Sequence, residues 1–116
     1  MAVLLFALYG YMVYLDHASE KLLRLVDTLD AAAREEDWEN AEERVQAVSD
    51  AWEKTGPRFA LFTDHGVLDD VMQTIAELKG YLRFREEAEF MAETETLRAL
   101  IEHIPKREAL TIYNIF

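Results

Sequence analysis

The first fifteen residues, MAVLLFALYGYMVYL, contain no charged side chain, and Asp16 opens a strongly charged remainder without transition. A run of this kind has to lie in lipid or inside a protein core. Downstream, Leu15, Ala18, Leu22, Leu25, Leu29 and Ala32 recur at intervals of three and four. The same rhythm runs back through Tyr11, Leu8 and Leu4. Such spacing places one side-chain stripe along a helix. It predicts a single rod from the N-terminus to about Arg34, with the apolar run as its first half.

A helix of fifteen residues covers about 22 Å, against a hydrocarbon layer of about 30 Å. The run is short for a span, so either the bilayer thins locally or the apolar stretch starts upstream of Met1. Tyr9, Tyr11 and Tyr14 gather near its end, where an aromatic belt would sit. No basic residue precedes the run and no small-x-small cleavage site follows it, so a cleaved signal peptide fits poorly. The competing reading is a buried helix of a soluble protein. The expectation taken forward is a membrane anchor at residues 1–15 of a single-pass cell-membrane protein, with the domain outside the cytoplasm.

Residues 16–105 carry the rest of the helical pattern. After the first rod, Asp37 is a suitable N-cap for a second helix with the seam Trp38, Ala41, Val45, Val48 and Trp52. Gly56-Pro57 should interrupt it. Phe59 and Phe62 nevertheless keep the phase, which predicts a kink with helix resuming to about Phe62. Thr63 or Asp64 caps a third helix with the seam Leu68, Val71, Ile75, Leu78 and Leu82. A fourth carries Phe90, Thr94, Leu97, Ile101 and Ile104, and Pro105 is expected to end it. Trp38 and Trp52, at this spacing, are core side chains rather than cofactor stackers. Short connections between amphipathic helices predict an all-α, up-down-up-down antiparallel four-helix bundle. The tail, residues 106–116, is then a separate segment.

The charge balance narrows function. The 116 residues include 23 acidic and 12 basic side chains, a formal net charge of −11. Nucleic-acid binding depends on Lys and Arg neutralising phosphate, so no nucleic-acid partner is expected. With no cysteine, disulfide staples, thiolate metal sites and thiol catalysis are excluded. Gly-rich phosphate loops and a GxSxG elbow are absent from the sequence. The chain is therefore expected to be non-enzymatic and to use no cofactor.

Up-down topology brings the histidines to one end of the bundle, the end facing lipid. His17, His65 and His103 each follow a carboxylate, at Asp16, Asp64 and Glu102. Three readings stay open for these residues. His17, Asp64, His65 and His103 are candidate metal ligands, since imidazole and carboxylate suit zinc. They are also candidates for a pH-responsive latch. Helix capping accounts for them without either: Asp64 at the start of helix three, His103 against the C-terminal dipole of helix four. No two histidines share a helix at ligand spacing.

Leu110, Ile112, Tyr113, Ile115 and Phe116 make the tail too apolar for an ordinary solvated end. They either pack back on the bundle or dock on a partner, and they are the candidate partner-binding residues. The run DWENAEERV, the Asp64-His65 pair, EHIP at Glu102 to Pro105 and the terminal LTIYNIF together resemble a domain-of-unknown-function family of short, membrane-anchored helical proteins from Gram-positive spore formers. The resemblance covers nearly the whole chain and implies an N-terminal hydrophobic helix followed by a helical domain. Gly56-Pro57 departs from its usually unbroken helix at that point. No catalytic residue comes with it. The function expected is a membrane-anchored accessory or scaffold protein that presents an acidic bundle to a protein partner, an integral membrane protein among the options. The alternative is a pH- or metal-responsive sensor using the membrane-proximal histidines.

Overall fold

The computed structural model describes the backbone of residues 1–60 and 64–115 and the side chains of residues 1–60 and 64–104. Four helices follow in order: α1 Ala2–Arg34, α2 Trp38–Phe59, α3 His65–Arg83 and α4 Glu87–Ile115. Each packs against its neighbours in the chain, and α1 closes the ring against α4. This is the antiparallel four-helix arrangement that the apolar spacing predicts. The molecule is long and thin, 53 × 21 × 18 Å.

The core follows the seams, widened by one position per helix turn. Leu15, Leu22, Leu29 and Ala32 of α1 are buried, and so are Ser19, Val26 and Ala33 beside them. A helix inside a bundle buries a stripe broader than a coiled-coil seam, because it meets two neighbours rather than one. The same widening adds Val67 and Thr74 on α3. All five seam residues of α4, from Phe90 to Ile104, are buried. Trp52 stacks on Phe59 with centroids 5.8 Å apart, and Trp38 meets Phe90 edge-on at 6.4 Å. Both tryptophans are therefore packing residues.

Two corners at the far end of the bundle share one construction. After α1, Asp37 N–H donates to Ala32 O and Glu36 N–H to Ala33 O, with Glu36 at φ 55°. After α3, Glu86 N–H donates to Tyr81 O and Arg85 N–H to Leu82 O, with Arg85 at φ 54°. This is the Schellman termination, which places a residue in the left-handed region. Neither corner uses the glycine that region favours. Asp37 then caps α2 by accepting from Asn40 N–H at 3.2 Å, and Asp64 caps α3 by accepting from Gly66 N–H at 2.9 Å. Thr63, the other capping candidate, and Phe62 lie outside the described residues.

Both prolines depart from expectation. α2 runs through Gly56-Pro57 without a break and stops at Phe59. Pro57 sits in the last turn, where a missing N–H leaves only the Glu53 carbonyl without its helical donor. Pro105 does not end α4: the helix continues ten residues further, to Ile115. Proline forbids its own N–H bond but allows helical φ, so a helix already held on both sides can run through it.

Candidate functional site

The two halves of α1 have opposite surroundings. From Leu15 onward one face is core, whereas Val3, Phe6 and Tyr9 are 83%, 81% and 70% exposed. The boundary is built by α2. Tyr11 Oη donates to the backbone carbonyl of Arg58 at 2.8 Å, and Arg58 Nη1 donates to Tyr14 Oη. The Arg58 guanidinium also lies over the Tyr14 ring, 5.5 Å from its centroid. The last turn of α2 is thereby fixed against the third and fourth turns of α1. Two phenols and a guanidinium with apolar bodies and polar tips are suited to a lipid–water boundary. Alpha-helix α1 is long and apolar enough to cross a membrane, and its most apolar stretch is only 11% buried. Length and composition alone are shared by signal sequences and by core helices, but a core helix would be covered.

His17, His65 and His103 are all exposed. Among the described residues no group of three or more His, Asp or Glu side chains could hold a metal ion. His17, Asp64, His65 and His103 therefore form no such group. Asp64 spends one oxygen on the α3 cap. Since α4 continues to Ile115, His103 lies well inside that helix and not at its C-terminal dipole. Leu110, Ile112, Tyr113 and Ile115 fall on this helical continuation, with side chains outside the described residues, as is all of Phe116.

Two features escape a reading of single helices. The first is a charge cluster between α1 and α4. Arg98 donates to Asp27, to Asp30 at 3.2 Å and to Glu95 at 3.4 Å. Asp30 is the covered member, and its Oδ1 is buried without a hydrogen-bond partner. Burial, then the nearby charge of Glu95, pushes the Asp30 carboxyl up, against the opposing pull of Arg98 and Arg34. Between α3 and α4, a hydrogen bond to Glu77 raises the Glu93 carboxyl, with burial and the Glu77 charge adding to it. Asp27 and Asp30, and Glu95 and Arg98, each sit three apart on one helix face, the only hint of the cluster in the sequence.

The second is a long groove between α2 and α3, the pair that packs least closely. Its half nearest the Tyr11–Arg58 junction encloses about 550 Å³ and is floored by Trp52, Gly56, Leu68, Met72, Ile75 and Ala76. Glu53 of α2 and His65 and Asp69 of α3 line it as well. The far half, about 630 Å³, is lined by Trp38, Val45 and Leu82 among charges of both signs, including Glu39, Glu42, Arg83 and Arg85. Lys79 lines both halves and donates to Ser49 Oγ across the groove at 3.4 Å. Gly56 lets the Trp52 indole lie against the α2 backbone: a Cβ there would stand 3.0 Å from the ring.

No curated protein and no solved structure matches the chain. A family match exists and spans residues 9–115, from the aromatic boundary of α1 to the end of α4. It thus takes in all four helices, the junction and the groove. On that coverage the chain belongs to the family of the domain of unknown function DUF4363.

Proposed function

We propose that the protein is a non-enzymatic, single-pass accessory or scaffold protein of the cell membrane. Its N-terminal turns sit in the bilayer, and its acidic bundle stands next to the surface and receives a protein partner. The observation that carries this is the division of α1. One uninterrupted helix is core from Leu15 and exposes Val3, Phe6 and Tyr9 before Tyr11. Large apolar side chains on an uncovered projecting helix are unfavourable in water, each by about 1.5–3 kcal/mol relative to burial. Lipid removes that cost. Because the helix is continuous, the bundle is held at a fixed distance from the bilayer rather than on a flexible tether.

The test is vesicle flotation of the full chain beside a chain lacking residues 1–8, which leaves Tyr11 and Tyr14 on Arg58. The full chain should float with lipid and the shortened one should stay in solution with its helicity intact. A soluble full chain refutes anchoring. For the partner, removal of Leu110 to Phe116 should abolish co-purification of a membrane protein without unfolding the bundle. Unchanged co-purification removes the tail from the interface.

A further inference from the structure

We infer that the membrane-proximal half of the α2–α3 groove is the docking site for a helix of the partner, apolar on one face and flanked by Lys or Arg. The inference rests on the proposal of a partner and names a second surface for it, besides the tail. Three observations carry it. The lining is largely apolar, with Met72 60% exposed and the buried Trp52 beneath the surface. Each helix brings a carboxylate to the lining, Glu53 from α2 and Asp69 from α3, beside the exposed His65, while the Lys79 ammonium donates to Ser49 Oγ at 3.4 Å. A helix is about 10–12 Å across, so a groove between two splayed helices is the shape that takes a third.

Charge separates this occupant from its competitors. A second copy carries the same −11 and brings repulsion to acidic walls. The tail of the same chain extends α4, which packs on α1 and α3 and so lies across the bundle from the groove. A cationic helix alone gains from both floor and walls.

The probe is a synthetic leucine–lysine helical peptide, with a leucine–glutamate counterpart, added to the full chain in phosphatidylcholine nanodiscs. The chain carries Trp38→Phe, leaving Trp52 as the sole indole. The lysine peptide should change the intensity or position of Trp52 emission with saturation, and the glutamate peptide should not. Ala76→Glu is the discriminating variant. It blocks the floor yet makes the surface more acidic, so docking weakens by about tenfold or more, whereas plain charge attraction would strengthen. Glu53→Lys with Asp69→Lys should exchange the preference of the two peptides. Binding unchanged or tightened by Ala76→Glu overturns the inference, as do equal binding of both peptides and an emission shift that follows protein concentration without peptide. Flotation is read separately, so loss of peptide binding with intact anchoring refutes the groove alone.

Discussion

Arg98 holds the α1–α4 seam together electrostatically, and Arg98→Met tests how. The substitution keeps most of the alkyl stem and removes the guanidinium. Left behind are Asp27, Asp30 and Glu95, of which Asp27 and Glu95 are well exposed and Asp30 is only 17% exposed. Exposed ion pairs contribute about 0–1 kcal/mol, and breaking a buried pair costs about 3–5 kcal/mol. With one of three carboxylates covered, the expected loss at neutral pH is about 2–3 kcal/mol, or on the order of 10–15 °C in melting temperature. Asp30→Asn added to Arg98→Met should restore most of it, because the uncompensated charge is then gone. The pH dependence has a definite sign. The folded-state pKa of Asp30 lies above its ordinary value. Its proton therefore binds the folded state more tightly, and this contribution is complete below the ordinary carboxyl range and lost as pH rises through the folded value. Removing Arg98 raises that pKa further, so the deficit of the variant should shrink on acidification. Thermal melts by circular dichroism between pH 4 and 7 measure it. A deficit that stays constant with pH, and is not relieved by Asp30→Asn, would mean that the Arg98 stem acts by packing and that charge compensation has no part.

Glu93→Gln should raise stability at neutral pH and flatten the gain on acidification, since Glu77 then faces an amide instead of a second carboxylate; the same melts read it. Glu36→Gly and Arg85→Gly should each stabilise by about 0.5–1 kcal/mol, because the left-handed conformation costs a side chain about 1–2 kcal/mol and glycine loses part of that gain through unfolded-state entropy. Phe6→Asp should release the chain from vesicles, by about 3–4 kcal/mol in apolar-to-water transfer, while Phe84→Asp, at an equally exposed phenyl on the far corner, should leave flotation unchanged. Pro105→Ala should slow hydrogen exchange at Lys106 to Ile115 by restoring the N–H bond to Ile101 O; unchanged exchange would mean that this segment does not depend on helical continuity through residue 105.

The architecture was legible because four seams repeat at three-four spacing, and apolar periodicity is a local signal. Asp37 and Asp64 were legible as caps for the same reason. What local pattern misjudged was proline. The rule that proline stops a helix weighs one lost bond and a clash. It omits neighbours: Phe59, after Pro57, is fully buried in the bundle core, and seam residues up to Ile104 are buried immediately before Pro105. The capping role expected of His103 fell to the same omission. Ending α4 at Pro105 placed His103 at a helix end, and the helix in fact passes on. Features between helices had no local trace. Arg98 and Asp30 stand 68 residues apart, and the groove exists because α2 and α3 diverge, a property of neither helix alone.

The continuity of α1 ties these elements into one mechanical unit. Arg58, in the last turn of α2, meets the aromatic boundary twice, accepting from Tyr11 at its carbonyl and reaching Tyr14 with its guanidinium. Gly56 and Pro57, its immediate neighbours, line the groove. With the first turns of α1 in lipid as proposed, a tilt of that helix would move Tyr11 and Tyr14 and, through Arg58, bear on the groove wall. Coupling of this kind requires a rigid connection at each step, and an unbroken helix with a paired aromatic–arginine contact supplies it. The position of α2 against α3, hence the width of the groove, is then set partly by how the first turns sit in lipid. A flexible linker at Gly10, inserted as a run of glycines, would cut that path while leaving Tyr11 and Tyr14 on Arg58 and the bundle core from Leu15 onward in place. Peptide binding in the groove should then become insensitive to bilayer thickness, whereas in the unmodified chain it should differ between thin and thick phosphatidylcholine nanodiscs.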